Sequence, residues 1–174
     1  MKFMGLDLSL TSTGYSCDKD MGAIAVKEKG VERLAAIRDE VMLVCREHRP
    51  DVVLIEGYSF ASRASQAHSI GELGGVIRLA LHEDNYTVVD IPPTCRAKFA
   101  TGRGNASKVE VISAISARTG LVWEGKGADD MCDAWILEQM GRSRFDASEY
   151  EWPKNHLEAL ENIDWSRAVG KFDD

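Results

Sequence analysis

The stretch FMGLDLSLTSTG, residues 3–14, opens the chain with an apolar run that an aspartate interrupts. Phe3 to Leu6 have the composition of a buried strand, and Asp7 follows directly after them. An unpaired carboxylate in a buried position costs several kcal/mol of folding free energy. The stretch therefore predicts a partner for Asp7, and we interpret that partner as a divalent metal ion that carboxylates distant in sequence also hold.

The composition is typical of one globular domain with a full hydrophobic core, since 44% of the 174 residues are hydrophobic and 28% are charged. No apolar run reaches the length of about 18 residues that predicts a membrane span. The N-terminal residues lack the apolar core and cleavage site of a signal peptide, which predicts a cytoplasmic protein. The four cysteines form no CxxC pair, so we expect reduced thiols rather than a zinc site.

The net charge of −7 is unevenly distributed along the chain. Residues 1–118 carry 15 Lys and Arg against 15 Asp and Glu, whereas residues 119–174 carry 6 against 13. Within the first part, residues 94–118 hold five basic side chains and one acidic side chain. Such a basic segment in an acidic chain is typical of a phosphate-binding surface, and a solvated helix face is the alternative interpretation.

Periodicity and turn residues predict three strands with short connections, then alternating helices and strands, then further helices. The predicted strands cover residues 2–9, 13–17, 23–26, 51–57 and 86–91. The predicted helices cover residues 31–48, 64–83, 96–99, 108–118 and 127–141, with weak helical character over 156–162. Ser107 is predicted to cap the helix that follows it, because Glu110 stands three residues later. This order predicts a mixed α/β domain with one central sheet.

Four carboxylates have the setting of a metal site. Glu56 ends the second strongly apolar strand, as Asp7 ends the first, although either acid alone is also typical of a strand end that faces solvent. Asp130 and Asp133 stand one turn apart on the last long helix, directly before an apolar run. Like charges beside a core require a cation, and oxygen ligands alone select Mg²⁺ or Mn²⁺. Together the four match a two-metal site for phosphodiester hydrolysis. Asp129 is a rival ligand that we interpret as an acid favouring the helix dipole.

Three motifs in this order resemble the RuvC-type Holliday-junction resolvases of the RNase H-like superfamily. They are GLDLSLTSTGY at residues 5–15, LIEGYSF at 54–60 and DDMCDAW at 129–135. Between them, PPTCRAKFATGRGNASKVEV at residues 92–111 resembles the basic loop and lysine-bearing helix start of that family. The resemblance implies an α/β RNase H-like fold, with helices flanking a five-stranded mixed sheet whose first three strands are antiparallel. Residues 1–142 are then the nuclease domain, and residues 143–174 are a C-terminal extension of unknown role.

The resemblance also implies roles for individual residues. Four acids fall on the family's catalytic and metal-binding carboxylates, which hold two Mg²⁺ ions for which Mn²⁺ substitutes: Asp7, Glu56, Asp130 and Asp133. Lys98 and Lys108 match basic residues that contact phosphates near the scissile bond. For Lys108, an ordinary capped helix start is the alternative.

Further DNA contacts are expected in two loops. Phe60 resembles an aromatic residue that stacks on bases opened at the junction, although an aromatic residue after a strand is also typical of a core. Arg63 lies in the same polar loop and is expected to contact phosphate. Arg103 stands between two glycines, which allow a loop to approach a nucleic-acid backbone closely.

The activity that the resemblance implies is that of a crossover junction endodeoxyribonuclease, which acts as a homodimer on Holliday junctions and other branched DNA. Leu8 and Ser9 stand where the cellular enzymes carry Pro-Gly and resemble the viral branch, so we interpret the chain as a phage protein of the host cytoplasm. Two alternatives stay open: an RNA-processing nuclease of the same superfamily, and a structure-selective DNA-binding protein without catalysis. The first motif also resembles the phosphate loop of actin-like sugar kinases, whose duplicated domain needs more than 174 residues.

Overall fold

A computed structural model describes residues 1–57 and 64–170, and for residues 64–69 it describes the backbone alone. Its strands are β1 (Phe3–Asp7), β2 (Thr13–Cys17), β3 (Asp20–Ile24), β4 (Val52–Glu56) and β5 (Thr87–Ile91). Its α-helices are α1 (Gly30–His48), α2 (Ala64–Glu83), α3 (Pro93–Thr101), α4 (Lys108–Thr119), α5 (Ala128–Arg144), α6 (Lys154–Leu157) and α7 (Ser166–Val169). A 3₁₀ turn over Glu158–Asn162 follows α6.

The largest difference from the predicted elements lies in the third strand, which begins at Asp20 rather than at residue 23. Asp18 adopts the left-handed backbone conformation, with φ of 59°. This allows Asp18 and Lys19 alone to close the hairpin, with Cys17 paired to Asp20. The predicted five-residue turn is therefore a two-residue turn, and the prediction placed β3 about three residues too late.

The strands form one mixed sheet in the order β3-β2-β1-β4-β5. The pairs β1–β2 and β2–β3 are antiparallel, whereas β1 pairs with β4 and β4 with β5 in parallel. The predicted fold class is therefore confirmed. Leu6 is in register with Ile55, so Asp7 and Glu56 follow at the same edge of the sheet.

Alternate residues of the central strands build two cores on opposite faces of the sheet. On one face, Met4 and Ile55 pack with residues of α1 and α2, such as Val41 and Ile77. On the other face, Phe3 belongs to a core formed with α3, α4 and α5. Both faces of β1 and β4 are thus covered, which explains why these strands are apolar until their final acidic residue.

Helix α5 lies directly on the backbone of β1 and β2 because two strand residues are glycines. A Cβ atom on Gly5 would collide with the carbonyl oxygen of Ala134, and one on Gly14 would collide with that of Asp130. Gly14 is also the partner of Asp7 in the β1–β2 ladder. The close approach therefore places the first turns of α5 beside the end of β1.

The described part of the predicted C-terminal extension, residues 143–170, packs into the same core as α3 and α5. Trp152 lies 4.2 Å from Phe99 between ring centroids, and Trp165 donates a hydrogen bond of 2.9 Å to the carbonyl oxygen of Leu160. The division of the chain at residue 142 stays a prediction. Within the described ranges, no helix has the length and apolarity that crossing a membrane demands.

Candidate active site

A pocket of about 280 Å³ lies where β1 and β4 end. Its lining includes Asp7, Glu56, Asp130 and Lys108, and Asp133 lies beside these residues and interacts electrostatically with Asp7 and Glu56. We call this site, with Asp133 included, the acidic pocket. The structure therefore brings together the four carboxylates selected from the sequence, from two parallel strands and one helix.

Burial and mutual repulsion raise the pKa of three of these acids, Asp7, Asp130 and Asp133. The pKa of Asp7 lies well above its ordinary value, first because burial removes water and then because Glu56 and Asp133 carry like charge. Burial raises the pKa of Asp133 to about 6, although a neighbouring arginine opposes the rise. The pKa of Asp130 is also raised by burial, and its side chain is close enough to Asp7 for a hydrogen bond. The pocket therefore holds more negative charge than its surroundings compensate.

Arg96 supplies the main compensation, and sequence analysis did not select it as a site residue. Only 8% of this residue is exposed. Its Nε donates to Glu56 Oε2 and its Nη1 donates to Asp133 Oδ1. The one signal in the sequence was its place among small and apolar residues of α3, such as Ala97 and Phe99, which are also buried.

The carboxylate oxygens of the acidic pocket are the type of ligand that a hard divalent cation prefers. Four carboxylates meet at one place, and the raised pKa of Asp7 marks a deficit of positive charge there. Within residues 1–57 and 64–170, however, no three acidic, histidine or cysteine side chains already surround a point where an ion could be held. Arg96 lies between two of the four acids, and their side chains must turn away from it to share an ion.

The basic segment over residues 94–118 carries ion pairs within the fold. Lys98 Nζ lies 3.1 Å from Glu158 Oε2, and Arg103 Nη2 lies 2.7 Å from Glu110 Oε1. Lys98 and Arg103 are not part of the lining of the acidic pocket as the described residues form it. Glu110 and Ser107 also form the capping box at the start of α4, which confirms the predicted cap.

Lys108 is the basic residue of the segment that lines the acidic pocket. Its Nζ lies 3.0 Å from Asp129 Oδ2, and both side chains are about half exposed. This hydrogen bond lowers the pKa of Asp129. Asp129 is thus the counter-ion of Lys108 here, and its role as a ligand or as a helix-dipole acid stays a prediction. Phe60 and Arg63, two further predicted DNA contacts, lie outside the described residues.

Comparisons of the sequence with known proteins all match one family. The model of the family described as crossover junction endodeoxyribonuclease RuvC matches residues 3–136. The RuvC of Caldicellulosiruptor saccharolyticus is 29% identical over 146 residues, which cover 77% of this chain and 87% of the relative. The RuvC of Treponema denticola is 31% identical over 129 residues, which cover 68% of this chain and 72% of the relative.

Solved structures with a similar fold are more distant in sequence. The Thermus thermophilus RuvC in complex with a Holliday junction substrate superposes with a TM-score of 0.67 at 19% identity, over 87% of this chain and 99% of that chain. The yeast mitochondrial Holliday junction resolvase superposes with a TM-score of 0.54 at 14% identity, over 97% of this chain and 82% of that chain. These similarities show a shared fold.

Proposed function

Since the chain belongs to the RuvC family of crossover junction endodeoxyribonucleases, we propose that it hydrolyses phosphodiester bonds in Holliday junctions and other branched DNA. The convergence of Asp7, Glu56, Asp130 and Asp133 in the acidic pocket is the observation that carries this proposal. Glu56 and Asp133 also pair with Arg96, but the repulsion among four acids from three separate elements destabilises the fold. A function that needs concentrated negative charge accounts for them.

The proposed cofactor is Mg²⁺, for which Mn²⁺ substitutes, with two ions held by Asp7, Glu56, Asp130 and Asp133. When bound, the ions supply an activated water and stabilise charge on the leaving oxygen. The carboxylates orient the ions relative to the scissile phosphate. The buried positions of Asp130 and Asp133 on α5 restrict their movement, because the helix backbone lies against the sheet.

The role of Lys108 is to hold a phosphate at the mouth of the pocket. It lines the pocket together with the acids, and its partner Asp129 is half exposed. An exposed ion pair is worth little, so exchanging the carboxylate of Asp129 for a DNA phosphate costs little. Lys98 and Arg103 are proposed to contact more distant phosphates by the same exchange, from Glu158 and Glu110.

The proposed active form is a homodimer, because resolving a four-way junction requires nicks in two strands. Membership of the RuvC family supports this assembly. We also propose the cytoplasm as the location, and the viral origin stays a prediction.

The test is cleavage of a synthetic four-way junction compared with matched duplex, flap and single-stranded RNA, each with and without Mg²⁺. We expect paired symmetric nicks in the junction that require the metal and disappear in Glu56→Gln. The matched control is Glu161→Gln, which changes an exposed glutamate of the C-terminal segment and should leave cleavage unchanged. Preferential cleavage of RNA would favour the RNA-processing alternative, and junction binding without any cleavage would favour the binding protein.

A further inference from the structure

The acidic pocket is divided into two unequal halves. Glu56 and Asp133 share the guanidinium of Arg96, and the three side chains are between 5% and 20% exposed. Asp7 and Asp130 lie within hydrogen-bonding range of each other instead. Across the two described ranges, no lysine or arginine forms an ion pair with Asp7 or Asp130. Among the described residues, Glu56 and Asp133 thus have a direct cationic partner, whereas Asp7 and Asp130 receive only the longer-range attraction of Arg96 and Lys108.

The halves differ in what a divalent cation would meet. Beside Asp7 and Asp130 it would meet carboxylates that repel each other, so its arrival removes an unfavourable interaction. Beside Glu56 and Asp133 it would meet a guanidinium that already pairs with one oxygen of each acid. Two like charges cannot share that place, so the ion and Arg96 exclude each other.

Arg96 is a buried residue of a buried stretch of α3. The residue sits on α3, where its neighbours Cys95 and Ala97 are buried as well. An arginine side chain stays protonated in proteins, so the guanidinium stays charged beside these acids. Arg96 therefore leaves the acids only by moving away as a cation.

We propose that Arg96 makes metal loading sequential: the first divalent cation binds beside Asp7 and Asp130, and a second binds only when Arg96 moves away from Glu56 and Asp133. This inference rests on the proposed function, because it takes the four carboxylates as metal ligands. Arg96 is then a positioning residue. It keeps Glu56 and Asp133 in place while the site is incomplete, and it sets how tightly the second ion binds.

The test counts Mn²⁺ ions bound to the full-length protein without DNA, by isothermal titration calorimetry and by the electron paramagnetic resonance signal of free Mn²⁺. We expect one tightly bound ion and a weaker second ion per chain for the wild type, and two tightly bound ions for Arg96→Met. Breaking a buried ion pair is costly, so the affinity for the second ion should rise by about tenfold or more. Arg96→Lys keeps a cation in the pocket and should restore tight binding of a single ion. Arg38→Met, which removes an exposed arginine of α1, is the matched control and should behave as the wild type.

Two outcomes overturn the inference and leave the proposed function standing. One is a wild type that binds two ions with the same affinities as Arg96→Met. The other is loss of the first ion in Arg96→Met, which would make Arg96 a support for the whole pocket. If no variant binds Mn²⁺, the proposed metal site fails and this inference fails with it.

A measurement on the wild type covers the case in which Arg96→Met does not fold. The Nε–Hε resonance of Arg96, followed by ¹⁵N nuclear magnetic resonance during titration with Mg²⁺, reports directly on its contact with Glu56. We expect the resonance to stay in place through the first equivalent and to shift only as the second ion binds. A shift that is complete with the first equivalent would show that the order of loading is wrong.

Discussion

Helix α5 carries two buried acidic clusters that are built differently. Near its C-terminal end, the fully buried Glu138 accepts hydrogen bonds from Ser16 Oγ at 2.6 Å, the backbone amide of Asp18 at 2.9 Å and Arg142 Nε at 2.7 Å. Near its N-terminal end, Asp130 and Asp133 join the acidic pocket, where Arg96 donates to Glu56 and Asp133. One cluster has three donors for one acid, whereas in the other, among the described residues, one cation forms ion pairs with only two of the four acids.

Burial alone does not distinguish the two clusters. It raises the pKa of Glu138 as it raises that of Asp133. The difference lies in the supply of donors, which is complete around Glu138 and deficient in the acidic pocket. A satisfied buried acid ties elements together, as Glu138 ties α5 to the turn between β2 and β3. An unsatisfied group of acids marks a place where charge from outside the chain is expected.

The largest expected effect is on catalysis, from Asp7→Asn. This change removes a proposed ligand from the deficient cluster, so cleavage of a four-way junction should fall to background in a gel assay with Mg²⁺. Junction binding, measured by fluorescence anisotropy, should be retained or become tighter, because one negative charge that repels DNA is lost. Full nicking by Asp7→Asn would remove Asp7 from the mechanism.

The next effect is on stability, from Glu138→Ala in the satisfied cluster. The change leaves Arg142 and Ser16 without their shared acceptor, so the free energy of unfolding should fall by about 3–5 kcal/mol. Urea unfolding of the metal-free protein measures this value. Asp133→Asn is the matched change in the deficient cluster and should not lower stability under the same conditions. Equal losses in the two variants would mean that the clusters do not differ as the hydrogen bonds indicate.

The features that could be predicted from sequence are local ones. Apolar runs that end in Asp7 and Glu56 indicate both the strands and their acidic ends. The apolar residues that predict each buried strand stand directly before the acid, so the signal is local. The cap of α4 is equally local, since Ser107 and Glu110 stand three residues apart. These runs do not by themselves fix which strands are neighbours, and the register of Leu6 with Ile55 shows that the two acidic strand ends meet in a parallel pair.

The features that escaped prediction depend on distant parts of the chain. Arg96 belongs to a segment with a local excess of positive charge, which favours an outward, DNA-facing interpretation. Its inward direction depends on acids 40 and 37 residues away, and no local pattern encodes that pairing. The burial of Trp152 and Trp165 likewise depends on α3 and α5, so a segment without clear periodicity completes the core.

The third effect is a dependence of stability on pH. The pKa of Asp133 is about 6 in the fold, above its ordinary value of 3.8, so the folded protein binds this proton more tightly than the unfolded chain does. Ionised Asp133 therefore destabilises the metal-free fold fully above pH 6, and the penalty is relieved as the pH falls toward 4. At pH 7, Asp133→Asn should be more stable than the wild type by up to about 3 kcal/mol.

Thermal unfolding of both proteins from pH 4 to pH 7 measures this difference, which should close at the acidic end. Excess Mg²⁺ should stabilise the wild type more than Asp133→Asn at pH 7, because only the wild type keeps all four acids. A difference that does not change with pH would show that Asp133 is compensated as fully as Glu138.

The smallest expected effect concerns Lys108, which lies between the deficient cluster and solvent. Its ion pair with Asp129 is exposed, so Lys108→Ala should change stability by less than about 1 kcal/mol. If Lys108 exchanges Asp129 for a DNA phosphate, the variant should bind a four-way junction more weakly, and the slope of log affinity against log salt should flatten by about 0.9. Lys27→Ala, an exposed lysine remote in sequence from the basic segment, should leave the slope unchanged. Equal slopes for Lys108→Ala and the wild type would mean that Lys108 keeps its ion pair with Asp129 and does not contact a DNA phosphate. The positive charge needed at the pocket mouth would then have to come from another residue.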